Sequence, residues 1–290
     1  MKRKHVYWNL FNSDYDGEIE AFGDTVRISA IGDPTISDYA KDTDIASPES
    51  LTDAQTVLTI SQAKYYNFLV DDVDKAQSKP KVMTEAMTRA AYKVANTMDT
   101  YAAGFYTDAI SANLIGSSGT PEVVSRATEA NIGGGDTVYD YLVVLSQRLN
   151  EQDIPDEGRW CVIPPWVKTF LTQDVRFTSF NTPQARLTIL SGKLDASGGM
   201  AANAYLGKIE NMDVYWSNNA PHVGGTVGVA GSQDVVLAGH SMALTKAEAL
   251  KKTEAYRPER RFGDAVKGLC LYGAKTTRPY GIAVAYLQHP

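Results

Sequence analysis

The segment 23–70 constrains the fold most, because it is patterned as an arm that cannot bury its own apolar residues. Two runs, 25–31 (TVRISAI) and 56–61 (TVLTIS), alternate apolar and polar residues with the period of two that is typical of half-buried β-strands. The connection between them, 32–55, is much longer than the hairpin loops of compact domains. Because a two-stranded ribbon is only marginally stable in water, we expect the arm to lie on another surface, and a neighbouring copy of the same protein is the natural one.

Charge and composition exclude several classes of function. The chain has 290 residues and a formal net charge of -6, which is too acidic for a protein whose main task is to grip the phosphates of an extended nucleic acid. Cys161 and Cys270 are the only cysteines, so neither a disulfide framework nor a cysteine zinc site is predicted, and a reducing compartment is indicated. No apolar run has the length of a signal peptide core or of a membrane span. We therefore expect a soluble intracellular protein without a membrane partner.

A long amphipathic helix is predicted after the arm. Pro80 stands near its first turn, where the missing N–H costs nothing, and the pattern continues past Gly104 to Asn113. A helix over 81–113 would be about 45–50 Å long and would serve as the spine of a flat domain. Its apolar residues recur at steps of three or four and form one stripe: Met83, Met87, Ala90, Val94, Met98, Tyr101 and Phe105.

The rest of the chain mixes short helices with short strands. Asp136 or Thr137 is predicted to cap a second helix with the apolar stripe Val138, Leu142, Leu145 and Leu149. A shorter helix is predicted over 166–171, and 172–204 has so little periodicity that a surface loop is expected. Strands are predicted from apolar or alternating runs at 160–163, 212–216, 234–237, 266–272 and 282–286.

One motif permits an enzymatic alternative. The run 239–243 (GHSMA) follows a predicted strand and nearly matches the G-x-S-x-G turn of serine hydrolases, and Asp264 and His289 follow Ser241 in the order of that triad. Ala243 replaces the last glycine, however, and its Cβ crowds the tight turn that the motif requires. An intracellular serine hydrolase that uses Ser241 is therefore the weaker interpretation.

Sites for ions and phosphates have little support. Asp71, Asp72 and Asp74 could hold a divalent cation, but the glycine and the later glutamate of an EF-hand are missing, so a solvated turn is preferred. The run 133–136 (GGGD) precedes a predicted helix but lacks the Lys-Ser/Thr of a phosphate loop, and its aspartate would repel an anion. No catalytic, cofactor or metal site is predicted, since the histidines are scattered without ligand spacing: His5, His222, His240 and His289.

Five stretches of the chain are distinctive in their order: 23–40, 51–77, 87–103, 207–221 and 243–285. They include GDTVRISAIGDPTISDYA at the start of the arm and GKIENMDVYWSNNAP in the middle. In this order they are similar to the major capsid proteins of tailed double-stranded DNA bacteriophages. The resemblance implies an α+β fold of the Hong Kong 97 type. Its parts would be an N-arm over 1–22, an extended E-loop over 23–70, a P-domain over 71–135 with the spine helix 81–113, an A-domain over 136–239, and return strands over 240–290 that complete the A- and P-domains.

The same resemblance implies the function. The chain would be a major capsid protein that assembles through hexamers and pentamers into an icosahedral shell around phage double-stranded DNA, without sequence-specific binding. Its partners would be other copies of itself with portal, scaffolding and cement proteins, its location would be the virion, and assembly would take place in the host bacterial cytoplasm. Relatives carry a longer segment before the motif at 15–19, so the N-arm is expected to be short, cleaved or only partly represented. A nanocompartment shell that encloses enzyme cargo on the same fold is a second alternative.

Under the capsid interpretation, opposite charges predict the subunit interface. The E-loop side consists of Asp33, Asp38, Tyr39, Asp42, Asp44, Glu49 and Asp53. A basic group follows later in the chain and is interleaved with glutamates, which weakens its interpretation as a phosphate track; it contains Lys246, Lys251, Lys252, Arg257, Arg260 and Arg261. Because arginine grips carboxylates through two parallel hydrogen bonds, Arg257, Arg260 and Arg261 are the predicted anchors for a neighbour's E-loop. An ordinary solvated face is the alternative for each of them.

Overall fold

The computed structural model describes residues 5–14, 25–31, 35–38, 41, 44, 47, 53–71, 82–126, 136–174 and 204–290. In chain order its strands are β1 (Thr25–Ile31), β2 (Asp53–Thr59), β3 (Gln62–Asp71), β4 (Leu114–Ile115), β5 (Glu122–Val123), β6 (Arg159–Ile163), β7 (Tyr205–Ile209), β8 (Met212–Trp216), β9 (His222–Gly224), β10 (Gln233–His240), β11 (Leu244–Tyr256), β12 (Gly263–Thr276) and β13 (Ile282–Gln288). Its α-helices are α1 (Tyr7–Leu10), α2 (Val82–Ala103), α3 (Val138–Asn150) and α4 (Pro165–Thr172).

The strands form two sheets and a separate ribbon. The larger sheet has the order β4-β13-β10-β6-β8-β7, with β5 beside β13 and β9 beside β10. The smaller sheet has the order β11-β12-β3 and is antiparallel throughout. The ribbon consists of β1 and β2, which pair antiparallel from Thr25 opposite Thr59 to Ile31 opposite Asp53. The predicted pairing of the two arm strands is therefore confirmed, and β3 is shown to belong to the smaller sheet.

The larger sheet is buried on both faces, which explains why its central strands are almost continuously apolar. Alternate residues of β10 point to opposite sides: Val236 and Ala238 join a core with α3 and α4, whereas Val235 and Leu237 join a core with α1 and α2. The same chain segments thus fill two cores at once. No described helix is long and apolar enough to cross a bilayer.

Helix α2 follows the predicted apolar stripe but is shorter than predicted. Met98 is buried and most of the stripe is half-buried, although Met87 is exposed. The α-helix ends at Ala103, and a 3-10 turn over Gly104–Asp108 follows it, so the predicted end at Asn113 is wrong. The chain changes direction after Ala103 and brings Asn113 into the interior. There Asn113 is fully buried, and its side-chain amide donates to the carbonyls of Tyr280 and Ile282. The 22-residue helix is about 33 Å long.

Helix α3 is capped as the sequence predicts. Thr137 is the N-cap, and its side chain and that of Asp140 form a reciprocal capping box with the backbone. The predicted stripe of four apolar residues is fully buried against the larger sheet. Helix α4 begins at Pro165, where a proline at the first helical position is well tolerated.

Strand β11 is missing from the predicted strands. Its sequence, LTKAEALKKTEAY, is rich in Ala, Leu, Lys and Glu, which are good helix formers. It nevertheless pairs with β12 along its whole length, with one irregularity between Ala249 and Lys251. Tertiary pairing has therefore overridden local helix propensity in this strand.

Candidate assembly surface

The ribbon packs against the smaller sheet at its base, where Val26 and Ile28 of β1 also contact the buried cluster. Leu58 and Ile60 are fully buried there, against Ala247 of β11 and Leu271 of β12. Gly273 allows the close approach: a Cβ at this position would lie 2.4 Å from the carbonyl oxygen of Thr59. The base of the ribbon is thus fixed by apolar burial and by backbone contact with β12.

Beyond its base the arm is partly covered: Val26 and Ile28 of β1 are half-buried against the same cluster, whereas the described residues of the connection (35–38, 41, 44 and 47) are exposed. Val57 is 44% exposed, and Ile36, in the connection between the two strands, is 93% exposed. The acids Asp38 and Asp44 are exposed as well. The predicted interface residues Asp33, Tyr39, Asp42 and Glu49 lie outside the described residues, and Asp53 is placed only by its backbone, at the end of β2 opposite Ile31.

The three predicted arginine anchors lie at the turn between β11 and β12, and all three are exposed. Arg257 Nε lies 3.8 Å from Asp264 Oδ1, which is a weak exposed pair. Phe262, directly after the arginines, is 85% exposed. The turn therefore presents three cations and one large apolar ring to solvent.

The arginine turn and the base of the ribbon occupy opposite ends of the smaller sheet. The ribbon joins the sheet near Gln62, which pairs with Tyr272, whereas the other end of β3 pairs with Gly263 beside the turn. Nine residues of β12 separate these positions, or roughly 30 Å at 3.3 Å per residue. The structure therefore places the predicted anchors far from the base of their own ribbon.

The described remaining residues of the basic group, Lys246 and Lys252, have different environments, and the side chain of Lys251 lies outside the described residues. Lys246 is buried, and its Nζ donates to the carbonyl oxygen of Trp8 at 2.7 Å. Lys252 and Lys267 both pair with Glu254, at 2.7 Å and 3.1 Å. Hydrogen bonds from these two lysines lower the pKa of the Glu254 carboxyl. The expectation of a single basic group is therefore wrong for Lys246, which is an internal residue.

The N-terminal segment is a structural anchor that the sequence analysis does not identify. Tyr7, Trp8 and Phe11 are buried between α2 and the two sheets. The Trp8 indole donates to Glu248 and its backbone N–H donates to Asp99 of α2 at 3.2 Å. Three aromatic residues within HVYWNLF were the available signal.

Asp99 joins three parts of the molecule. Besides the Trp8 N–H, it accepts a hydrogen bond from the side-chain amide of Asn219 at 2.8 Å, and Asn219 lies in the loop after β8. Burial raises the pKa of the Asp99 carboxyl, and these hydrogen bonds partly oppose that rise. A single buried carboxyl thus connects the N-terminal segment, the spine helix and the larger sheet.

The residues of the hydrolase alternative are not brought together. Thr276 of β12 pairs with Leu244, close to Ser241, but Asp264 lies twelve residues earlier on the same strand, or roughly 40 Å away. His289 is at the far end of β10, beside Gln233. His240 instead stabilises the turn that contains Ser241: one ring nitrogen lies 2.7 Å from the Glu157 carbonyl oxygen, and the other accepts a hydrogen bond from the Met242 N–H. The geometry contradicts a triad at Ser241.

Ion and cofactor sites find no support in the part of the chain that the structure describes. No group of three His, Cys, Asp or Glu there is arranged to hold a metal ion. Asp72, Asp74 and the run 133–135 lie outside the described residues. Cys161 and Cys270 are buried free thiols, and burial raises the pKa of the Cys161 thiol far above its usual range, so it is not a reactive thiolate.

A buried polar network fixes the loop between β9 and β10. Asp234 Oδ2 accepts from the Trp166 indole at 2.7 Å and from the Ser232 hydroxyl at 2.9 Å, and its Oδ1 lies 2.9 Å from His222 Nδ1. The other ring nitrogen of His222 lies 3.1 Å from the Gly225 carbonyl. The hydrogen bond to Asp234 raises the pKa of His222, because the imidazolium can donate to both acceptors.

Comparisons with known proteins agree with this architecture. A family model described as phage capsid protein matches residues 53–285. A chain of Mycobacterium phage Che8 is 23% identical, with a TM-score of 0.69 over 98% of this chain and 92% of that one. A chain from the capsid structure of cyanophage P-SCSP1u is 16% identical, with a TM-score of 0.70 over 100% of this chain and 90% of that one.

A different kind of shell also shares the fold. A chain of the holo-SrpI encapsulin complex from Synechococcus elongatus PCC 7942 is 10% identical, with a TM-score of 0.55 over 93% of this chain and 83% of that one. No curated protein matches the sequence. At these identities the structural likenesses speak for the fold, whereas the family model covers most of the chain.

Proposed function

The chain belongs to the phage capsid protein family and is a major capsid protein of the Hong Kong 97-type fold, and we propose that it builds its shell by laying the β1–β2 ribbon on a neighbouring subunit. This family membership confirms the resemblance seen in the sequence. The place of the protein is the capsid of the virion. The mode of assembly described below is our proposal.

The observation that carries the proposal is the contrast between the base of the ribbon and the connection between its strands. Leu58 and Ile60 at the base are fully buried and Val26 and Ile28 pack against them, whereas Ile36 in the connection is 93% exposed. A two-stranded ribbon is only marginally stable unless it lies on another surface. In a shell, the neighbouring subunit covers Ile36 and the exposed connection, so the subunit is complete only in the assembly.

The charges support the same arrangement. Asp38 and Asp44 are exposed on the arm, and Arg260 and Arg261 are exposed on the distant turn. Arginine forks bind carboxylates in two parallel hydrogen bonds, so we propose that the arm of one subunit reaches the arginine turn of the next. Head-to-tail contacts of this kind close into rings, here hexamers and pentamers that join into an icosahedral shell.

We assign the parts of the fold accordingly. The N-arm is 1–22, the E-loop 23–70, the P-domain 71–135, the A-domain 136–239, and 240–290 returns to complete both domains. The spine helix is α2, which the structure shortens to Val82–Ala103. A net charge of -6 is consistent with a wall that encloses double-stranded DNA without trapping it. Assembly in the host cytoplasm with portal, scaffolding and cement proteins belongs to the same proposal.

The test is electron microscopy of the purified protein and of charge variants. Wild type should form closed shells, and a variant with Arg260→Glu and Arg261→Glu should remain as folded subunits or small oligomers. A loss of about 1.4 kcal/mol at each contact lowers its association constant about tenfold, and every subunit repeats the contact. Lys208→Glu, which reverses an exposed cation on β7, is the matched control and should assemble normally.

Two results would refute the proposal. One is a wild-type protein that stays monomeric under all conditions that keep it folded. The other is normal shell formation by the double arginine variant, which would leave the capsid function intact but remove the arginine turn from the interface. Shells that contain enzyme cargo and no DNA when isolated from an infected host would favour the nanocompartment alternative, whose fold the encapsulin chain shares.

A further inference from the structure

A cavity of about 360 Å³ lies where the N-terminal segment, helix α2 and the smaller sheet meet. Its wall is mostly apolar and contains Trp8, Val94, Ala95, Met98, Leu269 and Cys270. Asn9 and Ala91 also line the cavity and are exposed, so it is accessible from solvent. Small-molecule sites usually have volumes of roughly 300–1,000 Å³ and predominantly apolar walls. The volume and the wall of this cavity therefore match those of a small-molecule site.

Two hydrogen bonds pair polar groups of the wall with one another. Glu248 accepts a hydrogen bond from the Trp8 indole. The hydroxyls of Tyr66 and Thr253 lie 3.2 Å apart, within hydrogen-bond distance. Because these groups have partners inside the subunit, they do not require a ligand.

The side chain of His5, which also lines the cavity, differs from these groups. Its backbone carbonyl accepts from the Asn9 side-chain amide at 2.8 Å, but its Nδ1 is buried and has no hydrogen-bond partner among the described residues. A buried polar atom without a partner is unfavourable. A water molecule would satisfy this atom, but at about 30 Å³ per molecule it would fill only a small part of the cavity. A larger ligand with one polar group would satisfy the nitrogen and also cover the apolar wall.

The groups in the wall indicate the chemistry of that ligand. A hydroxyl can donate or accept, so it can pair with His5 Nδ1 in either tautomer of the imidazole. An aromatic ring would make favourable contacts with the Trp8 ring and the Met98 sulfur. An anion would meet the acid Glu248, and a cation would lose its water in a mostly apolar cavity. A neutral aromatic alcohol fits all of these conditions.

We propose that this cavity is a binding site for a small, neutral aromatic molecule with one hydroxyl group. The hydroxyl pairs with His5 Nδ1, and the ring lies between α2 and the smaller sheet. The site does not depend on contacts between subunits, so it is separate from the proposed assembly. A ligand that binds where three parts of the fold meet stabilises the folded subunit by mass action.

The test is isothermal titration calorimetry of the purified full-length protein with p-cresol, and with toluene as the ligand that lacks the hydroxyl. We expect one p-cresol per subunit, bound about fivefold to tenfold more tightly than toluene because of the hydrogen bond. The midpoint of thermal unfolding should rise with p-cresol concentration. His5→Phe keeps a ring but removes the nitrogen, so both ligands should then bind with similar affinity. His289→Phe, after the last strand of the larger sheet, is the matched control and should change neither affinity.

A second variant tests the location of the site without removing His5. Ala95→Leu adds bulk to the wall at a helical position where leucine is well tolerated, and it should weaken p-cresol binding at least tenfold. Three results would overturn the inference: no saturable binding of p-cresol to wild type, equal affinity of wild type for the two ligands, or p-cresol binding that Ala95→Leu leaves unchanged. The wild-type comparison needs no variant. A protein that binds p-cresol but forms no shells would refute the proposed function and leave this site in place.

Discussion

Two segments near the start of the chain differ in how far their side chains are buried within the subunit. The N-terminal segment 5–14 buries Tyr7, Trp8 and Phe11 within its own subunit. The ribbon of β1 and β2 buries Leu58 and Ile60 at its base, leaves Val26 and Ile28 half-buried, and leads to a connection whose described residues are exposed. Both segments lie outside the two sheets, so their position in the fold does not explain the difference in burial.

Side-chain chemistry explains it. The N-terminal segment is aromatic, and two of its rings have ring partners: Trp8 lies edge-on to Tyr272 with ring centroids 5.5 Å apart, and Phe11 lies edge-on to Phe105 at 6.1 Å. The arm has acids where the N-terminal segment has rings. An aromatic arm folds back to escape water, whereas an acidic arm remains in water until a basic surface meets it.

The largest expected effect comes from removing the N-terminal anchor. Trp8→Ala should lower the free energy of unfolding of the unassembled subunit by about 3–5 kcal/mol, the usual cost of truncating a buried aromatic residue. It also leaves Glu248 without the indole donor and Lys246 without the ring below it. Urea unfolding followed by circular dichroism measures the change. Tyr65→Ala, at an 80% exposed site, is the control and should stay within about 0.5 kcal/mol of wild type; a Trp8 loss of similar size would show that the segment is not an anchor.

A substitution at Gly273 tests whether the ribbon opens independently of the rest of the subunit. Gly273→Ala should cost about 1–3 kcal/mol, because the new Cβ meets the backbone of Thr59 and one strand must shift. Hydrogen exchange should then accelerate in β1 and β2 while α3 keeps its protection. Gly119→Ala, where no atom lies within 4 Å of the added carbon, should change neither quantity. Uniform acceleration across the whole subunit would mean that the ribbon is not a separate unit.

The pH dependence of the free energy of unfolding tests the role of Asp99 in holding the N-terminal segment. Its folded pKa is raised above the ordinary value of 3.8 by burial, so the folded state holds the proton more tightly than the unfolded state, and the Asp99 contribution to stability falls as pH rises from 3.8 through the folded pKa. Asp99→Asn lacks this titration but loses one buried acceptor, at a cost of about 1–3 kcal/mol. The deficit of the variant should therefore be largest in acid and shrink as pH rises. Urea unfolding of both proteins from pH 4 to pH 7 measures it, and a deficit that grows with pH would reverse our assignment.

The smallest effect is expected from a substitution on the solvent-exposed face of α2. Glu85 and Arg89 form an exposed pair one turn apart, with 2.6 Å between Oε1 and the guanidinium. Glu85→Ala should cost only about 0.2–0.5 kcal/mol in low salt and almost nothing in 1 M NaCl. Unfolding curves at the two salt concentrations provide the comparison. A loss above 1 kcal/mol would mean that this face contributes to stability as the N-terminal anchor does.

Much of the fold could be predicted from local pattern. Strands 25–31 and 212–216 have the predicted bounds, and Thr137 caps its helix as expected. These features depend on periodicity and capping, which neighbouring residues determine. The end of α2 and the existence of β11 could not be predicted in this way, because the buried Asn113 and the pairing with β12 depend on residues far away in the chain.

For the candidate assembly surface as well, the sequence predicted some features and the structure was needed for others. Charge predicted the arginine turn and the acidic arm, and the structure adds that the arginine turn and the base of the ribbon lie at opposite ends of one sheet. Lys246 was grouped with the surface cations because sequence distance does not reveal burial beneath Trp8. The uncharged run 223–233 was visible in the sequence, but the exposure of Val227 and Val229 and the hydrogen bonds of Gly231 and Ser232 with His289 are apparent only in the structure.

By itself, the sequence determined the family, the paired strands of the arm and the apolar stripe of the spine helix, since each is carried by residue types at short spacing. Only the tertiary structure decided that the aromatic N-terminal segment belongs inside the subunit, that a helix-forming stretch becomes a long strand, and that Lys246 is an internal residue. The physical reason is that burial and strand pairing join residues distant in sequence, and a local pattern contains no information about which distant surface will cover it.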